Sequence, residues 1–141
     1  MVVPESYVDI NVFVYWLGNH PDFGKIAYQW IKKIENVPKG KYITSSLTLY
    51  QVAVIMAGLT GRNLKDKELV EEIVNPITSL PGLIVSPLTS EDVSKAVSLM
   101  REYDLDYEDS LHLAVAIRNK VKEIISNDQD FDKTPLKRKF L

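Results

Sequence analysis

The sequence predicts an α/β domain with a mostly parallel central sheet covered by helices on both faces. Two observations carry this prediction. Apolar runs of four to six residues alternate along the chain with longer segments of helical period, the pattern of repeated strand–helix units. Two of the short runs lead into carboxylates, Asp9 after Tyr7-Val8 and Asp128 soon after Ile124-Ile125. The carboxyl ends of strands are where such sheets place their binding sites. The 141 residues suit one domain spanning 1–141, and an apolar content of 45% is enough to fill one core.

The elements follow in order. Residues 7–10 form a short buried strand, and Asn11 opens a helix through Leu17, with Phe13, Tyr15, Trp16 and Leu17 as packing residues. Asn19-His20-Pro21-Asp22 is a break rich in turn formers. In the next helix, 23–35, Phe23, Ile26, Ala27, Trp30, Ile31 and Ile34 recur at helical spacing. Pro38-Lys39-Gly40 ends it, and 41–44 is a strand. Ser45 or Ser46 caps a helix running to about Leu59, closed by Gly58 and Gly61. A helix over 66–80, a Pro81-Gly82 turn and a strand over 83–86 come next. Thr89-Ser90-Glu91-Asp92 has the form of a capping box for a helix to Tyr103. A helix over 107–119, a strand over 123–126 and a final strand over 139–141 complete the chain, with no internal repeat, low-complexity tract or linker.

Composition narrows the function classes. No apolar run approaches the ~20 residues that span a bilayer, so no membrane role is expected. The start Met-Val-Val-Pro-Glu has no basic region ahead of an apolar stretch, unlike a signal peptide. The absence of cysteine excludes disulfides, thiolate metal sites and cysteine nucleophiles, and it fits a cytoplasmic protein. A net charge of −2 argues against broad electrostatic capture of nucleic acid, but not against an enzyme that handles it through metal and local basic patches.

The chemistry lies in acids distant in sequence yet attached to buried structure. Asp9, Asp109 and Asp128 can converge on one point. Two carboxylates about 5 Å apart repel by roughly 3 kcal/mol at an effective dielectric near 20, so three on one site either take up protons or recruit a cation. Hard oxygen ligands without cysteine favour Mg²⁺ or Mn²⁺ over Zn²⁺. Each acid also has a plain structural role open to it: Asp9 as a helix cap, Asp109 as a first-turn acid, Asp128 as a turn residue. His112, three residues after Asp109 and between Leu111 and Leu113, reads as a packed or hydrogen-bonded histidine. Tyr15, Trp16 and Trp30 read as core or dimer contacts. The basic tail residues Lys133, Lys137, Arg138 and Lys139 are either a solvated end or contacts to RNA phosphates.

Four segments together resemble the motifs of PIN domains. They are Val8-Asp9-Ile10-Asn11-Val12, Thr44-Ser45-Ser46-Leu47-Thr48-Leu49-Tyr50-Gln51-Val52, Asp109-Ser110-Leu111-His112-Leu113-Ala114-Val115-Ala116 and Ser126-Asn127-Asp128-Gln129-Asp130-Phe131, in the family's order. The resemblance runs from about Tyr7 to the end of the chain. It implies a PIN-like three-layer fold and, at this size, a metal-dependent ribonuclease similar to the VapC-type toxins. That would bring a small antitoxin partner, a homodimer, an RNA substrate and Mg²⁺ or Mn²⁺. It implies Asp9, Asp109 and Asp128 as catalytic metal-site residues and Asp130 as a further ligand. Asn11 would order the Asp9 loop, Ser46 would support the second motif, and Ser126 or Asn127 would hold a ligand water or a phosphate oxygen. One departure stands out: Gln51 occupies the position where the family usually has Glu. An amide oxygen can ligate a cation but brings no charge, so affinity should fall, most of all for a second ion. Glu108 is an acid close enough in sequence to Asp109 to compensate, though sequence alone does not say which way it faces.

Two other functions compete. A weakened PIN-like module would bind RNA or a protein partner without cutting, and Gln51 favours it. A phosphatase of the haloacid dehalogenase type also uses an Asp after the first strand, but it wants a second acid two residues on, where this chain has Asn11.

Overall fold

The computed structural model describes residues 3–141; Met1 and Val2, read above as part of a start unlike a signal peptide, lie outside the described residues. The elements in chain order are β1 (Ser6–Val8), α1 (Ile10–Leu17), α2 (Gly24–Glu35), β2 (Tyr42–Ser45), α3 (Ser46–Thr60), α4 (Lys67–Thr78), β3 (Leu83–Ser86), α5 (Ser90–Tyr103), α6 (Tyr107–Arg118), β4 (Glu123–Ile125), a short 3-10 helix (Gln129–Lys133) and β5 (Lys137–Lys139). The strands form one sheet in the order β3-β2-β1-β4-β5, and every pairing is parallel. The chain builds outward from β1 through β2 to β3, then returns to the other side of β1 for β4. The order therefore reverses between β1 and β4, which is where a parallel sheet opens a crevice at its carboxyl edge.

Strand periodicity divides the core into two layers of apolar packing. Val8, Tyr42 and Ile125 point to one face, where they meet Phe13, Ile31, Ile34, Val52, Met56 and Ile73 from α1 to α4. Tyr7, Ile43 and Ile124 point to the other, against Leu99 of α5, Leu113 and Ala116 of α6, and Phe131. The α6 segment is apolar around most of its circumference because it is buried from Ser110 to Ala116.

Polar features set the ends of these elements. The capping box at Thr89 forms as expected: its side chain accepts from the Asp92 N–H, and Asp92 accepts from the Thr89 N–H. Asp92 also receives Arg118 of α6, from Nε at 2.9 Å and Nη2 at 3.0 Å, so one buried carboxylate both caps α5 and ties it to α6. Gly82 is required by close approach: a Cβ there would lie 2.4 Å from the Ile34 carbonyl oxygen, where the end of α2 meets the start of β3. Tyr15 packs on His20, Phe23 and Phe140, and the Trp30 indole donates to the Phe140 carbonyl at 2.8 Å, so these two aromatic side chains make contacts within the chain.

Two expectations are corrected. The last strand covers Lys137–Lys139 rather than 139–141, because the charged segment pairs with β4 as an edge while Phe140 turns into the core. The 3-10 helix after Asp128 was not anticipated; Asp128 caps it by accepting from the Asp130 N–H. Among the described residues, no helix is long and apolar enough to cross a membrane.

Candidate active site

The carboxyl ends of β1 and β4 bring Asp9 and Asp128 to the crevice, and the first turn of α6 adds Asp109. Asp9 is 3% exposed. It caps α1, its Oδ1 accepting from the Ile10 N–H at 2.8 Å, while its Oδ2 accepts from the Ser126 hydroxyl at 2.6 Å and more distantly from the Asn11 amide at 3.4 Å. The plain capping role is therefore real, and α1 begins one residue earlier than expected because of it. Capping does not exhaust a carboxylate, whose two oxygens offer about four acceptor positions.

Ser126 is the joint between the two strand ends. Its hydroxyl donates to Asp9 and accepts from the Asp128 N–H at 3.0 Å and the Asn11 amide at 3.2 Å. The residue is fully buried, and these bonds make Ser126 a positioning residue for Asp9 and Asp128. Asn11 also accepts from the Asn127 N–H at 3.3 Å, and the Asn127 amide donates to the Tyr15 hydroxyl at 3.2 Å.

Asp109, Asp128 and Asp130 can each present one carboxylate oxygen within 4.8 Å of the others. At that separation each ionised pair repels by roughly 3 kcal/mol at an effective dielectric near 20. Burial, then Asp128, Asp106, Asp9 and Asp130 in turn, push the Asp109 carboxyl up to about 8. Burial likewise pushes Asp9 above the usual carboxylate range, against the hydrogen bonds from Ser126 and Ile10 that favour its anion, with Asp128 adding to the push. The arrangement is short of positive charge. Asp9 is not one of the trio, and reaches Asp128 through the Ser126 hydroxyl.

The second motif lies elsewhere in the crevice. Gln51 on α3 accepts through Oε1 from His112 Nε2 at 2.5 Å and donates through Nε2 to Glu108 at 3.1 Å. The other imidazole nitrogen, Nδ1, lies 2.5 Å from the Tyr7 hydroxyl. Tyr7 and His112 were not among the expected site residues. The available signals were periodic: Tyr7 lies on β1, two residues before Asp9, and His112 one helical turn after Asp109. Ser46 is not drawn into this chain; its hydroxyl accepts from the Leu88 N–H at 3.0 Å, and the cap of α3 is Ser45.

The basic tail does not gather into one cationic face. Lys133 lies 3.5 Å from Asp130 and 3.9 Å from Asp104. Arg138 pairs with Asp132 through two nitrogens and donates to the Ser126 carbonyl, and Lys139 pairs with Glu123. Lys137 is exposed.

Comparison with known proteins gives a consistent family. The family model described as PIN domain matches residues 6–137. No curated protein sequence matches. Among solved structures, Mycobacterium tuberculosis VapC20, described as a sarcin–ricin loop cleaving toxin, superposes with a TM-score of 0.70 at 13% identity, covering 91% of this chain and 93% of that one. VapBC2 from Rickettsia felis, bound to a DNA fragment from its promoter, gives 0.67 at 18% identity over 95% and 96%. FitAcB from Neisseria gonorrhoeae gives 0.61 at 17% identity over 94% and 95%.

Proposed function

Because this chain belongs to the PIN domain family, we propose that it is a divalent-metal-dependent endoribonuclease acting on single-stranded RNA, and the toxin of a toxin–antitoxin pair. The observation that carries the reading is the trio Asp109, Asp128 and Asp130, backed by Asp9, at the point where the strand order reverses. The structural neighbours include a protein described as a sarcin–ricin loop cleaving toxin and a toxin–antitoxin complex from Klebsiella pneumoniae, which supports the same reading.

The residues fit a hard divalent cation. The trio offers carboxylate oxygens only, the chain has no cysteine, and the nearby histidine is engaged by Tyr7 and Gln51. Mg²⁺ or Mn²⁺ suits such a donor set. Asp109, Asp128 and Asp130 would hold the ion, with Asp9 contributing beside them. Such an ion would polarise a phosphate oxygen and make water a better nucleophile near neutral pH. The chain's own part is positional. Ser126 fixes Asp9 and Asp128 relative to each other, Asn11 ties the end of β1 to Asn127, and the 3-10 helix turns Asp130 toward Asp128. The proposed antitoxin or second copy of the chain would find exposed apolar side chains at Tyr50, Val54 and Tyr107 on α3 and α6. Catalysis in the cytoplasm is part of the same proposal.

A second reading, an RNA- or protein-binding module without cleavage, is favoured by the amide at position 51. The test is cleavage of end-labelled single-stranded RNA by the purified chain in Mg²⁺, in Mn²⁺ and in excess EDTA. Cleavage is expected with either metal and not in EDTA, and Asp9→Asn is expected to slow it by at least about a hundredfold. Cleavage that persists in EDTA or in Asp9→Asn contradicts the metal-site assignment. RNA retention without cleavage in any metal supports the second reading.

A further inference from the structure

A cavity of about 320 Å³ lies between α3 and α6, apart from the acidic trio, with Leu47, Tyr50, Gln51, Tyr107, Glu108 and Leu111 among its lining residues. Its volume is at the small end of pockets that hold small molecules, room for one ring system rather than a long ligand. Tyr50 of α3 is 62% exposed there and Tyr107 of α6 45%. Open aromatic faces of this kind are what an unstacked base of single-stranded RNA stacks on. The polar groups of the cavity have a fixed direction. The almost fully buried His112 ring sits between the Tyr7 hydroxyl on one nitrogen and Gln51 Oε1 on the other. An amide oxygen accepts and cannot donate, so the proton of the second contact is on His112 Nε2. The Gln51 oxygen is thus turned toward His112, and its NH₂ group meets the Glu108 carboxylate at 3.1 Å. The opposite amide orientation would set oxygen against oxygen.

Gln51 and Glu108 therefore present a short row of hydrogen-bonding groups. One N–H of the amide goes to Glu108 Oε2, and the other is left to donate. The exposed carboxylate only accepts, and both of its oxygens have lone pairs to spare. The row reads donor, acceptor, acceptor. Guanine alone among the four bases carries two adjacent donors, N1–H and the N2 amino group, beside an acceptor, O6. A base is uncharged, so the surrounding acids do not repel it as they would a phosphate. Neighbouring positions on a helix face about 100° apart, so Glu108 turns toward α3 while Asp109 turns toward Asp128 and Asp130. Their Cα atoms are only about 3.8 Å apart, less than the length of one nucleotide. We propose that this groove is a guanine-selective base subsite beside the metal site, with Tyr50 and Tyr107 as stacking faces and Gln51 and Glu108 reading the base edge. The inference rests on the proposed action on RNA and adds the base that adjoins the scissile phosphate. The two tyrosines are also open to a protein partner, but interface centres are poor in charge, and apolar surface laid over Glu108 would strand its carboxylate.

The test uses oligouridylates that carry a single G, inosine, A or C. Their cleavage is followed in Mg²⁺ and Mn²⁺, and their binding by fluorescence anisotropy with Asp9→Asn, which keeps the trio and slows cleavage. Inosine lacks only the N2 amino group, so the ratio of G to inosine isolates one contact to the carboxylate. The wild type is expected to prefer G to inosine at least about tenfold in kcat/KM, the scale of a hydrogen bond to a charged group. Glu108→Ala is expected to bring that ratio to within about threefold, whereas a folding defect would slow every oligomer alike. Tyr107→Ala is expected to weaken binding of the G oligomer at least about fivefold through lost stacking. If the wild type cleaves the G and inosine oligomers equally well, this inference is overturned and the proposed function stands. If no oligomer is cleaved, the nuclease reading fails and the same ratio in binding decides the inference: tenfold supports it, and equal binding overturns it. A Tyr50→Ala/Tyr107→Ala chain that changes its mass in solution but keeps its base preference would assign the groove to a protein partner and overturn the proposal.

Discussion

Asp109→Asn is expected to melt higher than the wild type in the absence of metal, and to cleave RNA at least about a hundredfold more slowly. Both effects have one cause. Asp109 is forced close to Asp128 and Asp130 with burial adding to the cost of its charge, and its carboxyl is pushed up to about 8 from an ordinary 3.8. Asparagine keeps the shape and removes the charge. Because Asp109 is only half-buried and solvent screens part of the repulsion, the gain is about 1–2 kcal/mol, or roughly 3–7 °C for a domain of this size. The pH dependence has a definite sign. Between 3.8 and about 8 the folded chain holds a proton on Asp109 that the unfolded chain has released. Stability from this group is thus fully present below the lower value and is lost as pH rises through the upper one. Thermal melts from pH 5 to 8.5 should show the metal-free wild type falling relative to Asp109→Asn. Saturating Mg²⁺ or Mn²⁺ should remove the difference at pH 8, since an ion bound only by the folded chain stabilises it by mass action. A wild type whose advantage grows with pH would contradict the account of Asp109.

The second large effect is structural. Arg118→Met should destabilise the chain by about 3 kcal/mol, read as a lower urea midpoint at unchanged slope. The Asp92 side chain is 3% exposed and that of Arg118 37%. Burial opposes the ionisation of Asp92, but the Arg118 guanidinium and the Thr89 backbone and hydroxyl together hold its carboxyl below the usual range. Removing Arg118 leaves that charge buried and unpaired, and also frees the Pro87 carbonyl, which accepts from Nη2 at 2.7 Å. Adding Asp92→Asn to Arg118→Met should recover part of the loss, because the remaining partners of Asp92 then face a neutral group. Equal loss in the single and double variants would show that the stabilisation comes from packing of the arginine stem.

The chain's order of elements was legible because its strands are short apolar runs and its helices carry visible stops and caps. Thr89 with Asp92, and Ser45 as one of two candidate caps, mark their helices within a residue or so. The last strand was not legible. Lys137–Lys139 has no apolar period, and its pairing with β4 rests on main-chain hydrogen bonds, while Phe140 offers a misleading apolar signal just beyond it. The convergence of Asp9, Asp109 and Asp128 on one edge could be anticipated because each is fixed to a buried element. The environment of Gln51 could not. Its chain links Tyr7 to His112 across 105 residues, His112 to Gln51 across 61 and Gln51 to Glu108 across 57. Local pattern carries no record of such contacts. The resemblance implied an acid where position 51 has Gln, and only the packed structure shows an acid hydrogen-bonded beside it. The same limit applies to Ser126, whose buried hydroxyl reaches Asp9 across 117 residues while accepting from the Asp128 N–H.

The most direct measurement is the anomalous scattering of crystals soaked in Mn²⁺. The account predicts a peak bounded by Asp109, Asp128 and Asp130, with the Gln51 oxygen still turned toward His112. A peak bound to other residues, or no peak between these acids at saturating Mn²⁺, would contradict it.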